Sequence, residues 1–410
     1  MEQTFLTELR IEKVRHLHNI TIPLSNTERK NLILTGKNGS GKTSVLEELA
    51  EYIKIVSANT YRSSKVYINN ILNIERKISQ TTDPRLLVHL QTDMARNYRG
   101  LEDYAFGTFL RTLRGNWVCD EEMSAKFHSG QFIIAYYGDT RKLEVTKYKH
   151  IEKVLLSTYY EMTDRPSKNL TKYLVDLKFT RLISLSQNNT DRAIQIDEWF
   201  TRFEDTLRRI YGDSSLKLDF DSDTFQFSIL IDGREPFDFN TMSMGYAAVF
   251  DIVADLMMRM ESQRRYDLEG IVLIDEIETH LHVELQKQIV PILTELFPNI
   301  QFILTTHSPF ILNSAPNAVI YDLENRILVE EGMENLSYEG ILDGYFEVDR
   351  FSQKLRKAFE EYKQLVTSAN LSDLDYARIA ELEDYLDEVP DYLALDFAHE
   401  YSRLKAEFDS

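Results

Sequence analysis

The period of the apolar positions changes several times along the chain. Leu6 to Leu24 alternates apolar and polar residues, which predicts a strand pair with a turn near His16 to Asn19. Asn31 to Thr35 is a short apolar strand that runs into a Gly-rich turn. From Thr43 to Ser57 the spacing becomes helical, with Val45, Leu46, Leu49 and Ile53 on one face. Residues 58 to about 128 read as mostly helical, Gln131 to Tyr137 as a buried strand, and residues 150–212 as mostly helical again. Leu216 to Phe239 alternates as a β-meander, and Asp232-Gly233 supplies a hairpin turn. Gly245 to Met260 then predicts an amphipathic helix, and Gly270 to Ile274 a fully apolar strand. His282 to Phe297 is another helix, with Leu285, Ile289, Leu293 and Leu296 on one stripe, and Ile300 to Thr305 another apolar strand. Val319 to Leu323 and Arg326 to Glu330 predict a small hairpin, and residues 350–410 read as helical and polar.

Continuous apolar strands alternating with amphipathic helices make an α/β layer around parallel strands. Four segments follow. Residues 1–57 form one lobe. Residues 58–215 form a mostly helical insertion with a core strand near 131–137. Residues 216–330 form the second lobe, and residues 331–410 an acidic helical extension.

Composition narrows the function. The chain has 410 residues with a formal net charge of −19. Its single cysteine, Cys119, allows neither an intrachain disulfide nor a cysteine-built zinc site. Apolar runs such as Phe132 to Tyr137 are too short to span a bilayer, and the first residues lack the apolar stretch of a signal peptide. A soluble cytoplasmic protein without a membrane partner is expected. Charge is unevenly spread. Residues 58–120 hold nine Lys/Arg against six Asp/Glu, while residues 351–410 hold seven against fourteen. The overall acidity argues against a surface built mainly to neutralise phosphates.

Gly36-Lys37-Asn38-Gly39-Ser40-Gly41-Lys42-Thr43 fits the P-loop pattern between a strand and a helix, with Ser44 continuing into that helix. The glycines let backbone N–H groups turn inward around a phosphate. Lys42 would reach the β and γ oxygens of ATP, and the Thr43 hydroxyl is placed for Mg²⁺. Ile271 to Ile274 ends in Asp275 and Glu276. Asp275 would join Thr43 at Mg²⁺, and Glu276 would be the general base for the attacking water. Thr305-Thr306-His307-Ser308-Pro309 follows the next strand, and His307 could hydrogen-bond the γ-phosphate and the water. Met242-Ser243-Met244-Gly245-Tyr246 opens a helix, where Ser243 and Gly245 could form an anion site.

Together, the order and spacing of these motifs resemble the ABC-type ATPases of the branch that holds SMC, RecF and the OLD-type proteins. That resemblance implies a P-loop ATPase head with a mixed sheet core. It also implies two chains packed head to tail, with ATP between one P-loop and the other chain's Ser243 and Gly245. Glu278 to Leu281 would cross between the two sites. The signature departs from the family pattern, because Tyr246 stands where a polar residue is usual. A Mg²⁺ contact on the strand after the P-loop helix is also implied, and Gln131, Asp139 and Arg141 are its candidates.

No second catalytic constellation is legible, neither a metal-dependent TOPRIM set nor a Cys/His nuclease finger, and no long heptad arm occurs. Slow, regulatory ATP hydrolysis is then the expected chemistry. The stretches Tyr137 to Lys142 and Tyr338 to Leu342 look similar to stand-alone ATPase subunits of bacterial anti-phage systems such as Septu and PARIS. The likeness implies an oligomeric sensor and scaffold that controls a separate effector nuclease, of TOPRIM or HNH type, with a phage protein or DNA as trigger. The alternative is a RecF- or SMC-like DNA clamp in repair, kept open by the basic middle segment.

Overall fold

The computed structural model describes residues 4–57, 62–105, 108–112, 121–141, 151–330, 353–367, 372–387, 401, 403–405 and 408. Cys119, Lys142 and the Tyr338 to Leu342 stretch lie outside them. Two units divide the chain, Met1–Asn335 and Leu336–Ser410.

The first unit begins with strands β1 (Leu6–Val14), β2 (Leu17–Pro23) and β3 (Asn31–Thr35), then helices α1 (Lys42–Ser57), α2 (Arg62–Gln80) and α3 (Pro84–Ala105). β4 (Thr108–Thr112), α4 (Glu121–His128) and β5 (Phe132–Tyr137) follow, then α5 (Leu170–Ser186) and α6 (Thr190–Tyr211). Next come β6 (Lys217–Asp221), β7 (Gln226–Leu230), α7 (Met244–Glu261), β8 (Glu269–Ile274) and α8 (Val283–Leu296). β9 (Ile300–Thr305), α9 (Pro309–Ser314), β10 (Ala318–Asp322) and β11 (Ile327–Val329) complete it.

The main sheet has the order β11-β10-β3-β9-β8-β5. Its inner pairs are all parallel, and only β11 runs antiparallel, at one edge. Every residue of β3 and β9 is buried, as expected of strands covered on both faces. Since β3, β5, β8, β9 and β10 run the same way, the loops leaving them gather at one edge of the sheet.

A second, antiparallel sheet has the order β2-β1-β4. The buried Gln301 of β9 joins the two sheets. Its Oε1 accepts from Leu6 N at 2.7 Å, while its Nε2 donates to Leu6 O at 3.0 Å and Lys30 O at 2.7 Å. One amide thus satisfies three buried backbone groups.

Two expectations need correction. The segment around residue 110, read as helical, contains β4, which pairs with β1 in the register Leu9↔Leu110. Pairing with β1 decides between helix and strand in a short Thr- and Phe-containing run. Residues 151–165, also read as helical, have no regular structure before the 3-10 turn Pro166–Asn169. They cover the edge of β5, where Tyr136 N donates to Met162 O at 3.1 Å. The expected meander is present: the β6–β7 hairpin turns at residues 222–225, and Asp232-Gly233 makes the following turn, which closes on an Ile229↔Phe237 bridge.

α7 is anchored to β5 through a buried polar network. The Tyr137 hydroxyl donates to Asp255 Oδ2 at 2.8 Å, and Arg259 Nε donates to the same oxygen at 2.8 Å. Ser167 donates its N–H to Asp255 and its hydroxyl to Asp251, each at 3.3 Å.

In the second unit, helices Gln353–Val366 and Asp373–Asp387 pack Tyr362 against Ile379, Leu382 and Leu386. Arg378 forks onto Glu361 at 2.8 and 3.0 Å.

The network carries a pH signature. Burial, then the charge of Asp255, pushes the Asp251 carboxyl up to about 6, while Arg165, Ser167 and Arg141 oppose the rise. The ionised form therefore costs stability in the folded state. This group's favourable contribution is full below pH 3.8, its ordinary value, and is lost as pH rises through about 6. Asp251→Asn removes the titration. Its stability relative to wild type should be highest near pH 8 and fall toward pH 5, by about 1–3 kcal/mol. Chemical denaturation at each pH checks this, and a pH-independent difference would contradict it.

Candidate functional site

The loop between β3 and α1 is bent by three glycines with positive φ: Gly36 at +131°, Gly39 at +85° and Gly41 at +99°. Space as well as backbone demands glycine at two of them. A Cβ on Gly36 would lie 2.8 Å from Ser40 Oγ, and one on Gly41 would lie 2.9 Å from Leu17 Cδ1. Nothing crowds Gly39, which with Lys37 and Asn38 is exposed.

Lys42 folds over this loop. Its Nζ donates to Gly36 O at 2.7 Å and Lys37 O at 3.0 Å. Burial lowers its pKa, and the charges of Glu278, Glu276, Asp275 and Asp322 act against that. The ammonium is held by neutral carbonyls inside an acidic surround, ready for a better acceptor. Ser44, next in α1, is buried.

Thr43 Oγ1 donates to Asp275 Oδ1 at 3.3 Å, which brings the P-loop to the end of β8. Thr305, at the end of β9, joins both carboxylate residues. Its hydroxyl donates to Asp275 Oδ1 at 2.5 Å and accepts from Glu276 N at 2.7 Å. Glu276 has φ +44°, a costly conformation for a side-chain-bearing residue. Its Oε1 lies 3.4 Å from His307 Nε2, and its Oε2 accepts from Thr279 Oγ1 at 3.3 Å. Both the Glu276 and His307 side chains are about one-third exposed. A hydroxyl and a carboxylate converge beside a glycine cradle, the donor set a hydrated Mg²⁺ takes. These residues fit a Mg²⁺–nucleotide.

Ser243 caps α7 with extended backbone (φ −61°, ψ 150°) and its side chain makes no cap bond. Gly245 sits against the loop before α8. A Cβ there would be 3.1 Å from His280 O and 3.2 Å from Leu285 Cδ1. Tyr246 stacks on Tyr211 of α6, with ring centroids 4.1 Å apart and planes 12° from parallel. Packing against the helical segment thus accounts for the unusual signature residue.

Of the candidates on β5, Gln131 precedes the strand, at the opposite end from the gathered loops, and is corrected away from the site. Arg141 lies beside Asp275 and Glu276, donating to their carbonyls at 3.0 and 2.7 Å. Sequence reasoning missed the linking role of Thr305 and the hold of Glu278 on the next loop, where its Oε1 accepts from His307 N at 2.6 Å. The Thr305-Thr306 pair at a strand end was the available signal. Among the described residues no group of His, Cys, Asp and Glu forms a separate metal cluster, and no helix is long and apolar enough to cross a membrane.

The stacked pair makes a prediction. Tyr246→Glu, which restores a polar residue at the fifth signature position, should lower stability by about 0.5–1.5 kcal/mol through loss of the Tyr211 contact. Denaturant midpoints check it, and unchanged stability would mean that the stack is idle.

Comparison with known proteins agrees with this geometry. Residues 128–313 match the family described as "AAA domain, putative AbiEii toxin, Type IV TA system". The match includes Ser243, Asp275, Glu276 and His307, and the P-loop lies before it. Septu protein PtuA of Bacillus mycoides is 25% identical over 407 residues, which cover 94% of this chain and 51% of the relative. The chain thus spans about half the length of that relative. Retron Ec83 probable ATPase of Escherichia coli is 34% identical over 147 residues, 34% of this chain and 27% of the relative. Among solved structures, an SmcHead bound to the C-winged helix domain of ScpA covers 81% of this chain and 100% of its own, at 14% identity and a TM-score of 0.40. Over residues 128–313 the chain is thus similar to that AAA-domain family, and the strand ends that bear Asp275, Glu276 and His307 lie inside the match.

Proposed function

We propose that this protein binds and hydrolyses ATP as the switching subunit of an anti-phage defence complex. The carrying observation is the 3.3 Å contact from Thr43 Oγ1 to Asp275 Oδ1, beside Glu276 and His307 on one sheet edge. The names of its relatives, a Septu protein and a retron ATPase, support the defence setting.

In this reading the backbone N–H groups of residues 36 to 44 hold the phosphates, with Asn38 at the exposed rim. Lys42 exchanges the Gly36 and Lys37 carbonyls for phosphate oxygens. Thr43 and Asp275 would hold Mg²⁺, which would offset the negative charge of the phosphates. Glu276 takes up the proton of the attacking water. His307, 3.4 Å from Glu276, donates toward the γ-phosphate and orients that carboxylate. Ser243 and Gly245 complete the site of a second copy, since the Ser243 hydroxyl makes no bond at its own helix. ATP then joins two chains head to tail, and hydrolysis loosens them. A slow, timed clamp of this kind suits control of a separate nuclease of TOPRIM or HNH type.

Two variants separate binding from hydrolysis. Glu276→Gln should retain ATP and hold the closed assembly, while Lys42→Ala should lose nucleotide affinity by at least tenfold. Equal retention by both would contradict these roles. Mass in solution with ATP, for wild type and Glu276→Gln, with the product of the neighbouring gene present in one arm, should give an oligomer that captures that product without DNA. A dimer that instead holds duplex DNA, with steep loss of binding as salt rises, would favour a repair clamp.

A further inference from the structure

We propose that Arg141 is a positioning residue for ATP hydrolysis, aiming Glu276 by gripping the backbone turn that carries it. The proposal rests on the ATPase reading above.

Arg141 lies four residues beyond β5 and is 7% exposed. Its Nη1 donates to Asp275 O at 3.0 Å. Its Nη2 donates to Glu276 O at 2.7 Å, Ile277 O at 3.2 Å and Thr279 O at 3.4 Å. These four acceptors are consecutive or nearly so, on the turn that leaves β8. None is a carboxylate, so the guanidinium is used as a fork of donors and not as one half of an ion pair.

The turn needs such a fork. Glu276 and His280 both have positive φ, at +44° and +71°, so the segment is neither strand nor helix. Its N–H groups have backbone or hydroxyl partners. Asp275 N donates to Tyr137 O at 2.8 Å, Ile277 N to Thr305 O at 3.1 Å, and Glu276 N to Thr305 Oγ1 at 2.7 Å. The carbonyls point the other way, toward Arg141. Glu276 O also accepts from Thr279 N at 2.9 Å, but the carbonyls of the buried Asp275 and Ile277 would lose the Arg141 donor, and the turn would relax because unpaired buried carbonyls are costly. Relaxation at φ +44° would swing the Glu276 side chain away from the water position.

The same grip reaches further. The loop continues to His280, whose carbonyl is what a Cβ on Gly245 would strike, at 3.1 Å. Arg141 therefore fixes the base for one reaction centre and the seat of the signature helix together. Lysine cannot replace it, since one ammonium cannot present a planar fork to four carbonyls.

The test uses the full chain as wild type, Arg141→Lys and Arg141→Ala. ATP affinity is read by equilibrium dialysis, hydrolysis by steady-state rates, and folding by thermal melts. Both variants should bind ATP as wild type does and lose kcat by about 100-fold, the scale of a misaimed catalytic group. Methylguanidinium at millimolar concentration should restore part of kcat to Arg141→Ala, and methylammonium should not. If Arg141→Ala does not fold, Arg141→Lys decides through its kcat and ATP affinity. Wild-type kcat in a folded variant would overturn the proposal. So would ATP affinity falling in step with kcat, or equal rescue by both amines. A wild type that binds ATP without hydrolysing it would instead overturn the ATPase reading itself.

Discussion

A buried carbonyl outside helix and strand must still find a donor, and this requirement governs the working edge of the sheet. Parallel strands end together, so their exit loops crowd one another with few ladder partners left. The chain meets the demand with side chains that serve several backbone groups. Arg259, itself held to Asp255 at 2.8 Å, donates to the carbonyls of Ile134, Tyr160, Glu161 and Asp164. It thereby pins the irregular stretch that covers β5. Arg141 does the same for the turn after β8, and Thr305 joins β9 to that turn. Remove these and the strands would still pair, but the loops would lose their geometry.

That division explains what was legible in advance. Apolar runs such as Ile271–Ile274 and Ile300–Thr305 are long enough in β-branched residues to declare themselves as covered strands. The glycines of residues 36–41 declare a turn that only they can make. Helical spacing at Val45, Leu46, Leu49 and Ile53 leaves little choice for α1, and all four are buried. The irregular elements are different. β4 exists through its register with β1, a contact between residues about a hundred positions apart. Residues 151–165 are shaped by Arg259, which lies about a hundred positions downstream. No local period encodes either arrangement.

The site divides in the same way. Lys42, Thr43, Asp275, Glu276 and His307 were nameable because each sits where a motif meets a strand end. Arg141 was one of three candidates, and composition could not rank them. Strand direction removes Gln131, and the bonds to Asp275 O and Glu276 O mark Arg141. Gln131 enters β5, while Arg141 follows its exit, and only exits reach the gathered loops. Thr305 had looked like the last residue of an apolar strand. Its hydroxyl instead links Asp275 to Glu276, a role visible only once β8 and β9 are paired.

Topology also explains how a long insertion can interrupt an ATPase without spoiling it. β3 carries the P-loop and lies inside the sheet, between β10 and β9. β5, where the chain returns to the sheet partway through the insertion, is the edge strand beside β8. The chain thus leaves through α1 on one layer and re-enters at the rim, and no inner pair has to open. The edge position has a further consequence. Residues 151–165 hold β5 through the bond from Tyr136 N to Met162 O, and Arg141, four residues beyond β5, bonds the carbonyl of Glu276 at 2.7 Å, so the cover of the edge strand and the turn after β8 are tied to the same strand.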